Sequence, residues 1–209
     1  MPDLSQLSAR LGYAFTDISL LQTAMHHRSW NAENDGGESN ERLEFLGDAV
    51  LGWVVADIVY SQHSDLPEGK LTDLRKSVVN ANALAEVAVE LGIGEYLMLG
   101  KGEDTAGGRE KTSILSDALE AVIGAVYIDA GPQTTHDVVS ALMGKRIRVH
   151  HALAQVGQFS FRQIAVLRVH NVGNYPTKYG VAQKLQAFVA FAAIVFGVPR
   201  TVMHGRFKQ

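Results

Sequence analysis

The residues from Glu41 to Tyr60, ERLEFLGDAVLGWVVADIVY, carry apolar side chains at a spacing that a helix brings onto one face. Each residue of an α-helix advances about 100° around the axis, so positions three and four apart are neighbours. On that helix one wide arc is apolar and consists of Leu43, Leu46, Val50, Leu51, Val54, Val55 and Ile58. A half-buried strand would alternate apolar and polar residues instead. The stretch therefore predicts a helix with one face buried in a core.

Three carboxylates occur within the first eight residues of the same stretch. Glu41, Glu44 and Asp48 are spaced i, i+3, i+7, so on a helix they share an arc of roughly 60°. That arc borders the apolar stripe and does not lie opposite it. Like charges therefore lie beside the face that we expect to be buried.

A second stretch, ILSDALEAVIGAVY from Ile114 to Tyr127, repeats this arrangement. Asp117 and Glu120, spaced i, i+3, lie together beside an apolar stripe. If the two stripes pack on each other, the two acidic edges can meet. Gly47 and Gly124 would ease a close approach of the two backbones.

A meeting of these carboxylates would create a site with a distinct chemistry. Clustered carboxylates repel one another, and their pKa values rise unless a cation lies among them. Magnesium takes carboxylate and water oxygens and leaves positions open for a phosphate, where it can activate water. The chain has no cysteine, so disulfides are excluded and any metal must be held by oxygen or imidazole ligands. An acidic helix edge is also typical of a solvated surface, and spacing alone leaves both interpretations open.

The first 146 residues read throughout as helices joined by polar loops. Helical spacing covers residues 4–13, 17–29, 41–60, 70–91 as one or two helices, 114–129, and a last helix through 142. Ser39 or Asn40 can cap the helix that begins at Glu41. The glycine-rich segment 100–111 fits neither common phosphate-loop spacing, so we expect no nucleotide cofactor. No strand pattern competes, and we predict an all-α fold for this part.

Charge divides the chain after residue 146. Residues 1–146 hold all 22 acidic residues and 11 of the 19 basic ones, whereas residues 147–209 hold eight basic residues and no acidic one. The formal net charges are therefore −11 and +8. A long stretch without Asp or Glu is unusual, because about a quarter of residues in soluble proteins are charged. We predict one domain over residues 1–146 and a basic, apolar segment of unassigned structure over residues 147–209.

The sequence NERLEFLGDAVLG, from Asn40 to Gly52, closely resembles the signature of ribonuclease III, the magnesium-dependent endonuclease of double-stranded RNA. Supporting matches follow in the family's order: HHRSW near residue 28, PEGKLTDLRKSVVN at 67–80, LGKGE at 99–103 and TSILSDALEAVIGAVYIDAG at 112–131. The match covers about residues 5–142. It implies the helical endonuclease-domain fold of that family.

The resemblance also implies roles for individual residues. The positions that match the family's metal-binding catalytic cluster are Glu44, Asp48, Asp117 and Glu120. Asp48 and Glu120 match the most directly catalytic positions, and Mg²⁺, with Mn²⁺ as a substitute, is the implied cofactor. Glu41 and Glu68 match further acidic positions, which we interpret as assisting with RNA or metal.

A second subunit is implied as well. Related proteins act as homodimers whose two sites each cut one strand, leaving 5′-phosphates and short 3′ overhangs. Phe45 lies nearly opposite the apolar stripe of its helix, and the matching family residue packs across the dimer, so we expect a partner subunit to bury it. The implied substrates are double-stranded RNA, including precursors of ribosomal RNA and other structured RNA such as messenger and transfer RNA.

The segment 147–209 departs from the family pattern. Family members usually continue with a double-stranded-RNA-binding domain of α-β-β-β-α order, and this segment shows neither its strands nor the lysine-rich start of its last helix. A divergent domain, a replaced segment and a reading-frame error are the open interpretations. A catalytically impaired RNA-binding protein of the same fold is therefore the alternative function. The longest apolar run, Ala187–Val198, is shorter than the roughly 20 residues of a membrane span, and we see no secretory signal, so we expect no membrane contact and a cytoplasmic location.

Overall fold

The computed structural model describes residues 3–34 and 37–157. Eight α-helices occur in these residues: α1 Ser5–Leu11, α2 Ile18–Ala24, α3 Arg28–Glu33, α4 Glu41–Gln62, α5 Glu68–Val78, α6 Ala81–Leu91, α7 Lys101–Thr105 and α8 Thr112–Gly157. Short 3₁₀ turns span Ile93–Glu95 and Gly108–Glu110. Within the described ranges the only β-pairing is an isolated bridge between His26 and Met98. The predicted all-α class is confirmed.

The chain divides into two compact units, residues 1–147 and residues 148–209. In the second unit the structure describes residues 148–157, which are helical. The expectations for the rest of the segment 147–209, including its apolar run, lie outside the described residues and stay predictions. None of the described helices is long and apolar enough to cross a membrane.

Helices α4 and α8 form the centre of the core in the first unit. Leu51, Val54 and Val55 of α4 are fully buried, and so are Leu119 and Val122 of α8. Burying a side chain of this size stabilises the fold by roughly 1.5–3 kcal/mol. Both predicted stripes are therefore confirmed, with Leu46 only partly buried at the edge of the first one.

Two glycines let α4 and α8 approach closely. A methyl group at Gly47 would lie on the carbonyl oxygen of Glu120, and one at Gly124 would lie on that of Leu43. In both cases the nearest atoms belong to the opposing backbone. The contact requires residues without a side chain, as expected for these two positions.

The predicted helix over residues 17–29 is in fact two helices. After α2 ends at Ala24, Met98 N donates to Met25 O at 2.9 Å and His27 N donates to Met98 O at 3.1 Å. These bonds to a distant segment hold the backbone of His27 in an extended conformation, which ends the helical geometry. His27 Nδ1 then accepts a hydrogen bond from Ser29 N and caps α3. The spacing of apolar residues along the chain does not predict such a long-range pairing.

The other helix boundaries follow local signals more closely. The range 70–91 is a pair of helices, because the side chain of Asn80 accepts from Ala83 N and caps α6, which ends at Gly92 with φ 70°. The helix expected to end near Asp129 is interrupted at Gly131, whose φ of 76° and ψ of −177° are not helical. The capping prediction at the start of α4 is only partly right: Asn40 occupies the N-cap position without a capping side-chain bond.

Candidate active site

The crossing of α4 and α8 brings carboxylates from both helices together. Carboxylate oxygens of Glu44 on α4 and of Asp117 and Glu120 on α8 lie within 4.8 Å of one another. Each of these residues is partly buried, at the border of the apolar core. The close backbone contact at Gly47 is with the carbonyl of Glu120 itself, so the glycine contact and the acidic cluster are one feature of the fold.

Burial raises the pKa values of all three carboxylates, and repulsion by neighbouring carboxylates adds to this at Glu44 and Glu120. The pKa of Glu120 rises to about 7, first through desolvation and then through the charges of Asp48, Asp117 and Glu44. Desolvation is also the main cause of the raised pKa of Glu44, with Asp117 and Glu41 adding to it. The pKa of Asp117 is raised by desolvation, against a lowering hydrogen bond from Ser116. At neutral pH, Glu120 is therefore poised between its charged and protonated forms.

Two further carboxylates of the predicted site lie around this group. Asp48 is exposed on α4, and its charge acts on both Glu44 and Glu120, but it does not belong to the group within 4.8 Å. Glu41 is exposed in the first turn of α4, where its Oε2 accepts from Ser39 Oγ at 2.8 Å. The structure therefore brings three carboxylates together and surrounds them with two more.

Glu68 lies apart from this arrangement. It occupies the first turn of α5, where its Oε1 accepts from Thr72 Oγ1 at 2.8 Å. Its charge is not among those that shift the pKa of Glu44, Asp117 or Glu120.

The chemistry of the three grouped carboxylates fits a hard divalent cation. Magnesium prefers carboxylate oxygens and water, and a protein usually supplies one or two carboxylates while other positions stay open. Glu44, Asp117 and Glu120 offer oxygen ligands only, at mutual distances that one ion can bridge. A cation among them would also remove the repulsion that raises their pKa values. These residues can hold such an ion.

Comparison with known proteins identifies the family of this chain. A family model described as ribonuclease-III-like matches residues 17–147, more than half of the chain. The chain belongs to the ribonuclease III family. Ribonuclease 3 of Streptomyces coelicolor is 54% identical over 136 residues, which are 65% of this chain and 49% of that protein. Ribonuclease 3 of Thermobifida fusca is 57% identical over 123 residues, covering 59% of this chain and 51% of that protein.

Solved structures support the same family assignment. The nuclease domain of ribonuclease III from Campylobacter jejuni is similar with a TM-score of 0.65 and 39% identity, over 68% of this chain and 97% of that chain. That structure is described as showing flexibility in a region involved in dimer formation. The present chain spans about half the length of the two curated ribonucleases. The helical nuclease-domain fold of the ribonuclease III family is thereby confirmed.

The ribonuclease III signature helix also exposes an aromatic face. Phe45 is 82% exposed, and Trp53 and Tyr60 are exposed on the same helix. A cavity of about 420 Å³ lies along this helix beside Asp48 and Trp53, with Arg75 and other residues of α5 in its wall. In the described chain Phe45 therefore lies outside the core, as its position on the helix predicts.

Two basic residues near the cluster, His27 and Arg28, have no role assigned from the sequence. The charges of His27 and Arg28 both lower the pKa of Asp117, and Arg28 Nη1 lies 3.8 Å from Glu41 Oε1. The HHRSW match to the ribonuclease III pattern includes both residues, but a sequence match gives no information about contacts. Only the folded chain brings residue 28 next to the start of α4.

Asp57, which periodicity puts inside the apolar arc of α4, also has a partner. Its Oδ2 lies 3.1 Å from His136 Nε2 on α8, and Asp57 itself is exposed. The pair therefore lies at the rim of the core, where a carboxylate can be solvated and hydrogen-bonded at once.

Proposed function

We propose that this protein is a magnesium-dependent endoribonuclease that hydrolyses phosphodiester bonds of double-stranded RNA. The observation that supports it is the group of three carboxylates within 4.8 Å at the crossing of two core helices, in a chain of the ribonuclease III family. A protein that only binds RNA has no use for such a group, because carboxylates repel phosphates.

Each carboxylate has its own part in this proposal. Glu44, Asp117 and Glu120, together with Asp48, hold Mg²⁺, and Mn²⁺ is expected to substitute for it. When bound, the metal supplies Lewis-acid stabilisation of phosphodiester charge and makes a water more acidic. Asp48 and Glu120 are the proposed catalytic residues.

Glu120 and Asp48 differ in how far each is exposed to solvent. Glu120 is partly buried at the border of the core, and in the metal-free protein its carboxylate can hold or release a proton near neutral pH. Asp48 is exposed beside it, within reach of a substrate that approaches from solvent. Glu41 and Glu68 are proposed to assist with RNA or metal.

The substrate and products follow from the family. A-form RNA presents a wide, shallow minor groove and is recognised mostly by shape and backbone contacts. Cleavage of each strand would leave 5′-phosphates and short 3′ overhangs. Precursors of ribosomal RNA and other structured RNA, in the cytoplasm, are the proposed targets.

A homodimer belongs to the same proposal. A large aromatic side chain such as Phe45, 82% exposed at the start of the signature helix, would lose its contact with water in an isologous interface. Two subunits would then present two sites to the two strands of one duplex.

The proposal is tested by cleavage of a long RNA duplex in Mg²⁺. We compare the wild type with Glu120→Gln, which keeps the shape but loses the charge, and with the exposed control Glu95→Gln. Wild type and control should cut, and Glu120→Gln should be slower by on the order of a hundredfold or more. Equal cleavage by all three would contradict the assigned site. Binding of the duplex without cleavage by the wild type would favour the impaired RNA-binding protein instead.

A further inference from the structure

Arg28 brings a positive charge to the edge of the carboxylate cluster. Its Nη1 lies 3.8 Å from Glu41 Oε1, and its side chain is 74% exposed. Its charge lowers the pKa of Glu44 and of Asp117, against the larger raising effect of burial. The guanidinium is therefore within electrostatic reach of both helices that form the cluster.

The backbone that carries Arg28 is fixed from two sides. Asn40 N, at the start of α4, donates to His26 O at 2.8 Å, and His27 N donates to Met98 O at 3.1 Å. Asn40 is itself buried, and its Nδ2 donates to Ala24 O at 3.4 Å. The Cα of residue 28 thus has a defined position relative to α4, while its long side chain extends into solvent.

A structural role does not account for this arginine. Ion pairs between exposed side chains contribute about 0–1 kcal/mol to stability, and many contribute nothing measurable. The distance of 3.8 Å to Glu41 is longer than a hydrogen bond. A guanidinium has five donors in a planar fork, and most of this fork faces solvent beside the cluster.

We propose that Arg28 binds a phosphate group of the RNA strand that lies across the carboxylate cluster. This inference rests on the proposed function. An RNA backbone that approaches several carboxylates is repelled, and a planar guanidinium can bind two phosphate oxygens at once and offset that repulsion.

Binding measurements separate this role from a structural one. We use the 209-residue protein with Glu120→Gln at constant Mg²⁺, so that the RNA duplex stays uncut, and measure affinity over a series of KCl concentrations. Adding Arg28→Ala should weaken binding about tenfold at low salt and reduce the slope of log affinity against log salt by about one, the loss of one phosphate contact. Arg28→Lys, which keeps the charge, should keep most of the slope.

Two matched controls complete the comparison. Glu38→Gln breaks another exposed ion pair near the start of α4, to Arg42 Nη1 at 3.2 Å, and it should leave the affinity unchanged. Arg10→Ala removes another arginine that pairs with a glutamate, Glu95, at 3.7 Å, and it should leave the slope unchanged. If Arg28→Ala weakens binding no more than Glu38→Gln and Arg10→Ala do, the guanidinium does not bind a phosphate and the inference is wrong.

Kinetics distinguish failure of this inference from failure of the proposed function. In the otherwise wild-type protein Arg28→Ala should raise KM for the duplex about tenfold and change kcat less than threefold, because uniform binding is lost. A wild type that does not cut the duplex contradicts the proposed function. A wild type that cuts, with Arg28→Ala unchanged in KM and in salt slope, contradicts the role of Arg28 alone.

Discussion

Replacing Gly47 by alanine should damage both the core and the site, because the two share one backbone contact. The added methyl would lie on the carbonyl oxygen of Glu120, 2.6 Å from its carbonyl carbon and 3.0 Å from Gly124 N. Ordinary contact distances start near 3.4 Å. The obstacle is main chain in the middle of a helix, which cannot rotate away, so the two helices must separate.

The magnitude follows from two opposing effects. Overpacking a core costs typically 1–3 kcal/mol, and we expect the upper end because backbone must move. Alanine gains about 1 kcal/mol over glycine in a helix interior, so the net loss should be about 2 kcal/mol. Gly52→Ala is the matched control on the same helix, since no atom lies within 4 Å of its new methyl, and it should be stabilised by about 0.5–1 kcal/mol.

Urea denaturation of both variants of the 209-residue protein, followed by circular dichroism, measures this difference. With a slope of about 1–3 kcal/mol/M, the midpoints of the two variants should differ by about 1–3 M. Gly47→Ala should also bind Mg²⁺ more weakly, because Glu44 and Glu120 move apart. A Gly47→Ala protein as stable as Gly52→Ala would refute the proposed packing of α4 on α8.

Three further predictions concern the cluster, the aromatic face and the loop before α2. In the metal-free protein the pKa of Glu120 is raised from 4.5 to about 7, so its contribution to stability is fully present below about pH 4.5 and is lost as pH rises through 7. Urea titrations should therefore show Glu120→Gln as stable as the wild type near pH 4 and more stable by about 2 kcal/mol above pH 8. That figure is half of the full value for the shift, because Glu120 is partly exposed. Phe45→Ala should weaken dimerisation at least tenfold in sedimentation experiments, whereas a monomeric wild type at micromolar concentration would contradict the interface. Tyr13→Phe should cost about 1–2 kcal/mol in urea denaturation, because Tyr13 Oη donates to Asp129 Oδ2 at 2.6 Å, and an unchanged midpoint would contradict that role.

The sequence anticipates the parts of the site that depend on helical periodicity. An apolar stripe fixes which face of α4 and of α8 is buried, and the angle of each carboxylate follows from it. Gly47 and Gly124 predict that the two helix backbones cross at close range. Glu44, Asp117 and Glu120 therefore meet where two independent patterns predict it.

Other features depend on contacts between distant residues and leave no local pattern. The glycine-rich segment 100–111 contains α7 because Glu33 and Ser29 of α3 accept from the backbone N–H groups of Lys101 and Gly100 at 2.9 Å. Glycines in this segment suggest a loop, and the partners that order it are about 70 residues away in the chain. The ion pair of Arg28 with Glu41 and the partner of Asp57 are missed for the same physical reason.

The central claim is that the carboxylates at the crossing of α4 and α8 form one divalent-cation site. Calorimetric titration of the RNA-free protein with Mg²⁺, in buffers of different ionisation enthalpy, measures ion affinity and proton release together. Since the pKa of Glu120 is about 7 without metal, binding at pH 7 should release about half a proton or more per ion, and almost none at pH 9. Glu120→Gln should weaken this binding strongly, and Glu95→Gln should not. Binding that releases no protons at pH 7, or that is unchanged in Glu120→Gln, would contradict the account.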